Sequence, residues 1–208
     1  MAFSDFKTVE QVISKYPLAI KRERFLPDVR QESPAWFITN LNFALASQAA
    51  QETEQYFRES FIFPFLQLVW QQHTQLKLWI NRAITVNDLL YGEADYLVSH
   101  WIQDKPITQL VNTPLLAVAE AKRQDFDAGW GQCLAEMIAC QKMNKNNDFT
   151  VYGIVSTGQA WEFGKLYGDT FTRDPLTYTI VDPDRIYGIL NFVFSECESQ
   201  LNKDTIPL

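Results

Sequence analysis

The sequence predicts an α/β protein in which a mixed β-sheet is flanked by helices. Residues 114–122 begin as a nearly continuous apolar run, which is typical of a strand buried on both faces. Residues 75–80 alternate between polar and apolar side chains, as a half-buried strand does. From Trp130 to Gln141, apolar side chains recur every three or four residues, which indicates a helix. Strand-like and helix-like segments alternate along the chain, so we expect helices packed on a sheet.

Length and composition are those of an ordinary folded protein. The 208 residues are enough for one domain with a single core, or for one domain with a helical extension. Hydrophobic residues make up 47% of the chain and charged residues 21%, which excludes a disordered protein. The net charge of −7 argues against nucleic-acid binding by the surface as a whole, although it leaves room for a local basic patch.

The sequence shows no signal for export or for membrane insertion. No apolar run reaches the roughly 18 residues that a membrane helix needs, and the N-terminus lacks the basic and apolar regions of a signal peptide. The cysteines, Cys133, Cys140 and Cys197, show no metal-ligand spacing, and an odd number without an export signal suggests a reducing compartment. We therefore expect a cytoplasmic protein without a membrane partner.

The chain is predicted to divide into an N-terminal helical extension, residues 1–48, packed on an α/β core, residues 49–208. A short helix is expected over residues 5–16, because apolar side chains recur there at helical spacing. A less regular stretch follows. The pair Ser33-Pro34 then marks the start of a helix, since a capping residue precedes a proline in the first turn.

This second helix is predicted to run to about Phe63, with a possible break near Ser47, before Pro64 interrupts it. The helical pattern then resumes to Trp70. Glu54 lies three residues before Phe57, so we expect it on the buried face of the helix. The alternative is that Glu54 is a residue near a helix end that reaches water.

The remaining elements follow from turn residues that separate apolar segments. A helix capped by Asp125 or Asp127 is expected to run to about Lys142 and to link two strands by a crossover. A last helix is expected from Asp182-Pro183. Residues 104–112 are predicted to form a loop. Strands are predicted at residues 75–80, 91–99, 114–122, 150–156 and 159–166, and near 177–181.

Charged side chains interrupt the apolar strand at its end. Side chains two residues apart on a strand share a face, so Leu116, Val118, Glu120 and Lys122 are expected on the same side. If residues 91–99 pair with this strand as an antiparallel hairpin, Asp95 and Glu120 converge. Two neighbouring carboxylates need a cation or a shared proton. Hard oxygen ligands at such a site suit Mg²⁺ or Mn²⁺, and Lys122 is placed to orient or deprotonate an attacking water.

Three sequence pieces together resemble the PD-(D/E)XK nuclease superfamily, which has the restriction-endonuclease-like fold. They are Gly92-Glu-Ala-Asp95, Glu120-Ala-Lys122, and a preceding helix with Glu54 four residues before Arg58. The resemblance implies that Asp95, Glu120 and Glu54 hold a Mg²⁺ or Mn²⁺ ion. It also implies that Lys122 acts in catalysis and that Gln132 faces the site. The sequence departs from the family pattern at Ala94, where the name motif has proline, and at Glu136, where a tyrosine is often found.

The function that this resemblance implies is metal-dependent hydrolysis of DNA phosphodiester bonds. DNA is then the expected partner, together with a second copy of the chain in a homodimer or a DNA-reading partner protein. A different interpretation is a catalytically inactive or partner-dependent domain that keeps the nuclease-like fold as an interaction module. In that case Lys122 only forms a structural salt bridge with Glu120.

Overall fold

A computed structural model describes residues 2–101, 114–122, 125–145 and 148–203, without the side chains of the last two. The described chain is an α/β structure in which an eight-stranded mixed sheet is flanked by helices, so the predicted fold class is confirmed at this level. The α-helices are α1 (Val9–Ile13), α2 (Ala35–Ser47), α3 (Glu54–Phe57), α4 (Phe63–Trp70), α5 (Phe126–Asn144) and α6 (Pro183–Lys203). The strands are β1 (Ala19–Arg22), β2 (Leu76–Asn87), β3 (Leu90–His100), β4 (Leu115–Ala121), β5 (Val151–Ser156), β6 (Ala160–Tyr167), β7 (Thr170–Arg173) and β8 (Tyr178–Thr179).

The sheet has the strand order β1-β7-β6-β5-β4-β3-β2, with β8 paired to β6. β3 and β4 are antiparallel neighbours, as the convergence of Asp95 and Glu120 requires. β4 and β5 are parallel neighbours, and α5 connects them as the predicted crossover does. The predicted loop at residues 104–112 lies outside the described residues.

Two strands of the sheet, β1 and β7, were not predicted. β1 pairs in parallel with β7 at the edge, and all four of its residues are exposed. Neither strand is long enough to show an alternating pattern, so their strand conformation depends on the partner backbone. Residues 1–48 are therefore not purely helical. The predicted strand near 177–181 is reduced to the two residues of β8.

The N-terminal helices differ from the predicted ones in length and continuity. The expected helix over residues 5–16 is a 3₁₀ turn at Phe3–Asp5 followed by the short α1. The predicted break near Ser47 is present, because α2 ends there. The predicted interruption at Pro64 is wrong, since α3 continues into α4 through a π-helical turn at Arg58–Ile62. Pro64 lies in the first turn of α4, where a missing N–H costs little.

Hydrophobic clusters cover both faces of the sheet. One contains Phe65, Trp161 and Phe194 and packs under α4 and α6. The other contains Trp130 and Phe171 and packs under α5 and the N-terminal turns. Within the described part of the chain, no helix is long and apolar enough to cross a membrane.

A β-bulge in β4 changes which side chains share a face. Val98 pairs with Ala117 and Ser99 with Leu115, so Leu116 is an extra residue in the ladder. Leu116 therefore packs in the cluster under α4 and α6, whereas Val118 packs in the cluster under α5. The predicted common face of Leu116 and Val118 is wrong, because strict alternation holds only from Ala117 onward.

Gly131 allows α5 to pass close to the N-terminal segment. A Cβ atom at this position would lie 2.6 Å from the backbone N of Thr8 and 2.7 Å from the carbonyl oxygen of Phe6. Both are backbone atoms, so no change of rotamer relieves the clash. An alanine would gain about 1 kcal/mol in helix propensity, but overpacking of this kind costs about 1–3 kcal/mol.

We expect Gly131→Ala to destabilise the protein by about 1 kcal/mol, and Gly131→Val to destabilise it more. The free energy of unfolding from urea titrations followed by circular dichroism measures both effects. A Gly131→Ala variant at least as stable as the wild type would show that the N-terminal segment does not pack on α5 in this way.

Candidate active site

Asp95 and Glu120 lie on neighbouring strands at the end of β4. The antiparallel register pairs Tyr96 with Ala119, so Asp95, one residue earlier on β3, stands opposite Glu120, one residue later on β4. Asp95 is fixed there because its Oδ2 accepts a hydrogen bond of 2.9 Å from the backbone N–H of Ala121. The structure thus brings together the two carboxylates that the sequence analysis placed side by side.

Lys122 follows β4 directly and points back to the same place. Its Nζ lies 2.5 Å from Glu120 Oε1 and donates a hydrogen bond of 3.2 Å to Oε1 of Gln132 on α5. The Glu120 side chain is 1% exposed and that of Lys122 is 20% exposed. The ammonium group therefore lies between a buried carboxylate and the solvent.

The contact with α5 is made possible by Gly129. A Cβ atom at this position would lie 2.5 Å from Val155 Cγ1 and 3.1 Å from Lys122 Cγ. Any larger residue would push either α5 or the stem of Lys122 away. Asp125 caps the helix by accepting a hydrogen bond of 2.9 Å from the N–H of Ala128, which fixes where α5 begins.

Gln132 connects Lys122 to a second buried carboxyl group. Its Nε2 donates a hydrogen bond of 3.1 Å to Oε1 of Glu136, one helical turn further along α5. Glu136 is completely buried, and its Oε2 has no hydrogen-bond partner among the described residues. In the sequence, Glu136 stands out only as a departure from the family pattern. The signal that it belongs to the site is a glutamate inside the continuously buried part of α5.

Arg58 forms an ion pair with Asp95 that the sequence analysis did not predict. Its NH1 lies 2.9 Å from Asp95 Oδ1, with the two side chains 20% and 16% exposed. The guanidinium also donates a hydrogen bond to Asn81 Oδ1, and its carbon lies 5.5 Å from the centre of the Tyr96 ring. Arg58 is the first residue of the π-helical turn, and such turns recur at functional sites.

Asn81 interrupts β2 opposite Asp95. Its φ of +49° is left-handed, a conformation that asparagine tolerates better than most residues. The ladder with β3 pairs Ile80 with Tyr96 and Arg82 with Ala94, and it skips the position between them. The sequence signal is an asparagine in the middle of an apolar strand, where its type is disfavoured. The kink lies beside the Arg58–Asp95 pair.

The electrostatics of the site are dominated by burial. The pKa of Glu120 is raised to about 8, chiefly by burial and next by the charge of Asp95, while Lys122 acts to lower it. For Lys122, burial lowers the pKa, but the attraction of Glu120 and the other carboxylates outweighs burial and raises it overall. Lys122 therefore keeps its proton, whereas Glu120 holds a proton more tightly than an exposed glutamate. Burial also raises the pKa of Glu136.

Glu54 lies near the site but is not buried as predicted. It is the exposed first residue of α3, directly after the capping residue Thr53. The predicted buried face is wrong because the π-helical turn adds a residue between Glu54 and Phe61, which rotates α3 relative to α4. Glu54 is still close enough to raise the pKa of Glu120 and of Lys122.

The residues present suit a cation held by two carboxylates. Around Glu120 lie the carboxyl groups of Asp95, Glu54 and Glu136 and the cationic groups of Arg58 and Lys122. The buried Oε2 of Glu120 has no hydrogen-bond partner among the described residues. Mg²⁺ requires only one or two carboxylates, with waters and substrate phosphate completing its shell. In the described ranges, no group of three or more acidic, histidine or cysteine side chains is placed to hold a metal ion.

Comparison with known proteins adds no relative to this description. No family model matches the chain, and no curated protein matches it.

Proposed function

We propose that this protein is a metal-dependent nuclease of the PD-(D/E)XK type that hydrolyses DNA phosphodiester bonds. The supporting observation is that Asp95, Glu120, Lys122 and Gln132 meet at one end of β4, where the sequence pattern of that superfamily requires them. A buried carboxylate beside an ammonium group is costly for folding. Its position at a solvent-facing end of a strand favours a chemical role.

The carboxylates of Asp95 and Glu120 would hold Mg²⁺ or Mn²⁺, with Glu54 close enough to add negative charge. When bound, the ion supplies an acidified water and neutralises charge on the phosphate. Hydrolysis adds the hydroxyl of water to phosphorus and a proton to the leaving oxygen. Because the pKa of Lys122 is raised, this side chain suits orienting the water and stabilising negative charge better than taking a proton.

Gln132 contributes to the position of Lys122. Its amide oxygen accepts from the ammonium group, while its amide nitrogen donates to Glu136. The second bond fixes which end of the amide faces Lys122. The ammonium group is therefore held from two sides, by Glu120 and by Gln132.

Arg58 occupies the position beside Asp95 that a divalent cation would compete for. A metal bound at Asp95 would take the place of the guanidinium, and a freed guanidinium would be well suited to bind a phosphate. This exchange predicts that Asp95 is needed for metal binding even though it is ion-paired in the free protein.

We expect Asp95→Asn to weaken binding of Mn²⁺ at least about tenfold, because it removes a charged ligand. Isothermal calorimetry of the full chain measures the affinity. Glu23→Gln is the matched control, since Glu23 is an exposed acid just after β1, at the opposite edge of the sheet. Equal affinity in wild type and Asp95→Asn would remove the support for this site.

A second candidate function is a partner-dependent or inactive domain that keeps the nuclease-like architecture. The observation that favours it is the Arg58–Asp95 ion pair, which satisfies one of the carboxylates without a metal. The same calorimetry separates the two functions. Absence of Mn²⁺ binding by the wild-type chain favours the interaction domain, and binding that depends on Asp95 favours the nuclease.

A further inference from the structure

Three tryptophans surround one lysine at the free edge of the sheet. Trp70 ends α4, Trp79 lies on β2, and Trp101 follows β3. The Nζ of Lys77 lies 4.7, 5.6 and 5.9 Å from the ring centres of Trp70, Trp79 and Trp101. We call these four residues the tryptophan cluster. Trp101 is 40% exposed, so the cluster is open to solvent.

The indole rings are held by their nitrogen atoms. Trp70 Nε1 donates a hydrogen bond of 2.7 Å to the carbonyl oxygen of Leu76, and Trp79 Nε1 donates one of 2.9 Å to Ser99 Oγ. Both rings are therefore oriented before any ligand arrives, which lowers the entropy cost of binding. A cavity of about 340 Å³ lies against the cluster, lined by Trp70, Gln71, Thr74, Leu76, Lys77 and Trp101.

The tryptophan cluster is continuous with the candidate active site along β2. Lys77 and Trp79 share a side of β2 about 7 Å apart along the strand, and the kink at Asn81 follows two residues later. Asn81 binds Arg58, which binds Asp95. Arg82 adds a second cation beside the cluster, with its guanidinium carbon 5.0 Å from the Trp79 ring centre. Aromatic and cationic groups thus lead along one strand to the site.

We propose that the tryptophan cluster binds the unpaired bases of single-stranded DNA and places the strand at the Asp95–Glu120 site. This inference rests on the proposed nuclease function and names its substrate class. Aromatic faces stack on any base, and neighbouring cations bind the phosphates between bases. In duplex DNA each base face is covered by its neighbours. The net charge of −7 also argues against binding by the general surface, which favours a compact site with its own cations.

The test measures binding separately from cleavage. A short fluorescent oligothymidine is titrated with the full chain in EDTA, and fluorescence anisotropy gives the affinity. We expect Trp101→Leu to weaken binding about tenfold, within the range of one base-stacking contact. Trp36→Leu is the matched control, because Trp36 is 56% exposed on α2. A hairpin duplex of the same length is expected to bind more weakly than the single strand.

Lys77→Gln provides an independent variant that leaves all three rings in place. We expect it to lower the slope of log affinity against log salt concentration by about 0.7, since one phosphate contact is lost. Lys142→Gln is its control, because Lys142 lies over a different ring, that of Tyr16.

The outcomes separate this inference from the proposed function. One outcome is that the protein shows no metal-dependent cleavage but binds the single strand, and that Trp101→Leu weakens this binding. This outcome supports the role of the tryptophan cluster and overturns the proposed nuclease function. Cleavage with unchanged single-strand affinity in Trp101→Leu and Lys77→Gln overturns the cluster alone. A third outcome is that the wild type does not bind DNA but forms a dimer, which Trp101→Leu dissociates. The tryptophan cluster is then a contact between copies of the chain, and the inference is overturned.

Discussion

Replacing Lys122 with methionine is expected to reduce metal-dependent DNA cleavage by at least about 100-fold. Methionine keeps most of the apolar stem that packs near Gly129, so the change removes the charge and little of the packing. The lost ammonium group is 2.5 Å from Glu120 and 3.2 Å from Gln132 in the wild type. Without the ammonium group of Lys122, the end of β4 offers no fixed cation to stabilise the negative charge that develops on the phosphate.

Conversion of supercoiled plasmid and degradation of single-stranded DNA, each with Mg²⁺ or Mn²⁺, measure this effect. Lys165→Met is the control, because Lys165 lies on a different strand, β6, where its ammonium group is over the ring of Phe25. Thermal unfolding of both variants checks that they fold. Cleavage by Lys122→Met at the wild-type rate would assign the activity to another site or to a contaminant.

Replacing Glu120 with glutamine is expected to abolish cleavage and at the same time to stabilise the protein at alkaline pH. The loss of activity, at least about 100-fold, follows from the loss of a charged cation ligand. The gain in stability follows from removing a carboxylate that is 1% exposed and has an oxygen without a hydrogen-bond partner among the described residues. Opposite changes in activity and stability are characteristic of a functional residue.

The pH dependence of this stabilisation has a definite sign. The pKa of Glu120 is about 8 in the folded protein against 4.5 for a free glutamate, so the folded state binds the proton more tightly. Its contribution to the free energy of unfolding is therefore fully present below pH 4.5 and declines as the pH rises toward 8. Glutamine does not titrate. The advantage of Glu120→Gln over wild type should grow across this range.

Urea unfolding at about pH 5 and about pH 8 tests this expectation, with the larger stability gain at the higher pH. Glu23→Gln serves as the control, because this exposed glutamate should give the same small difference at both values. A Glu120→Gln variant that loses stability equally at both pH values would show that the Lys122 ion pair outweighs the burial of the carboxylate.

Much of the sheet was predictable because several of its strands carry local patterns. The apolar run of β4 and the alternation of β2 identify a strand from the sequence alone. β1 has no such pattern, because all of its side chains are exposed and its hydrogen bonds to β7 come from residues about 150 positions away. The bulge at Leu116 was not predictable either, since it depends on the register with β3.

The predictable part of the site is the part set by alternation within a strand. Glu120 and Lys122 share a side for this reason, and Asp95 follows from the hairpin between β3 and β4. Arg58 and Asn81 come from elements whose relative position is decided by tertiary packing. The exposed place of Glu54 depends on the π-helical turn, which no local pattern indicates.

The wide turn that begins at Arg58 fixes the length of this segment. Its hydrogen bond joins the N–H of Phe63 to the carbonyl oxygen of Arg58, five residues back. Deleting one residue here would tighten the turn and rotate the preceding residues by about 100° around the helix axis relative to α4. The guanidinium would then leave Asp95 without its counter-ion. A single-residue insertion or deletion is therefore as serious in this helix as a change of residue type in the strands beside it.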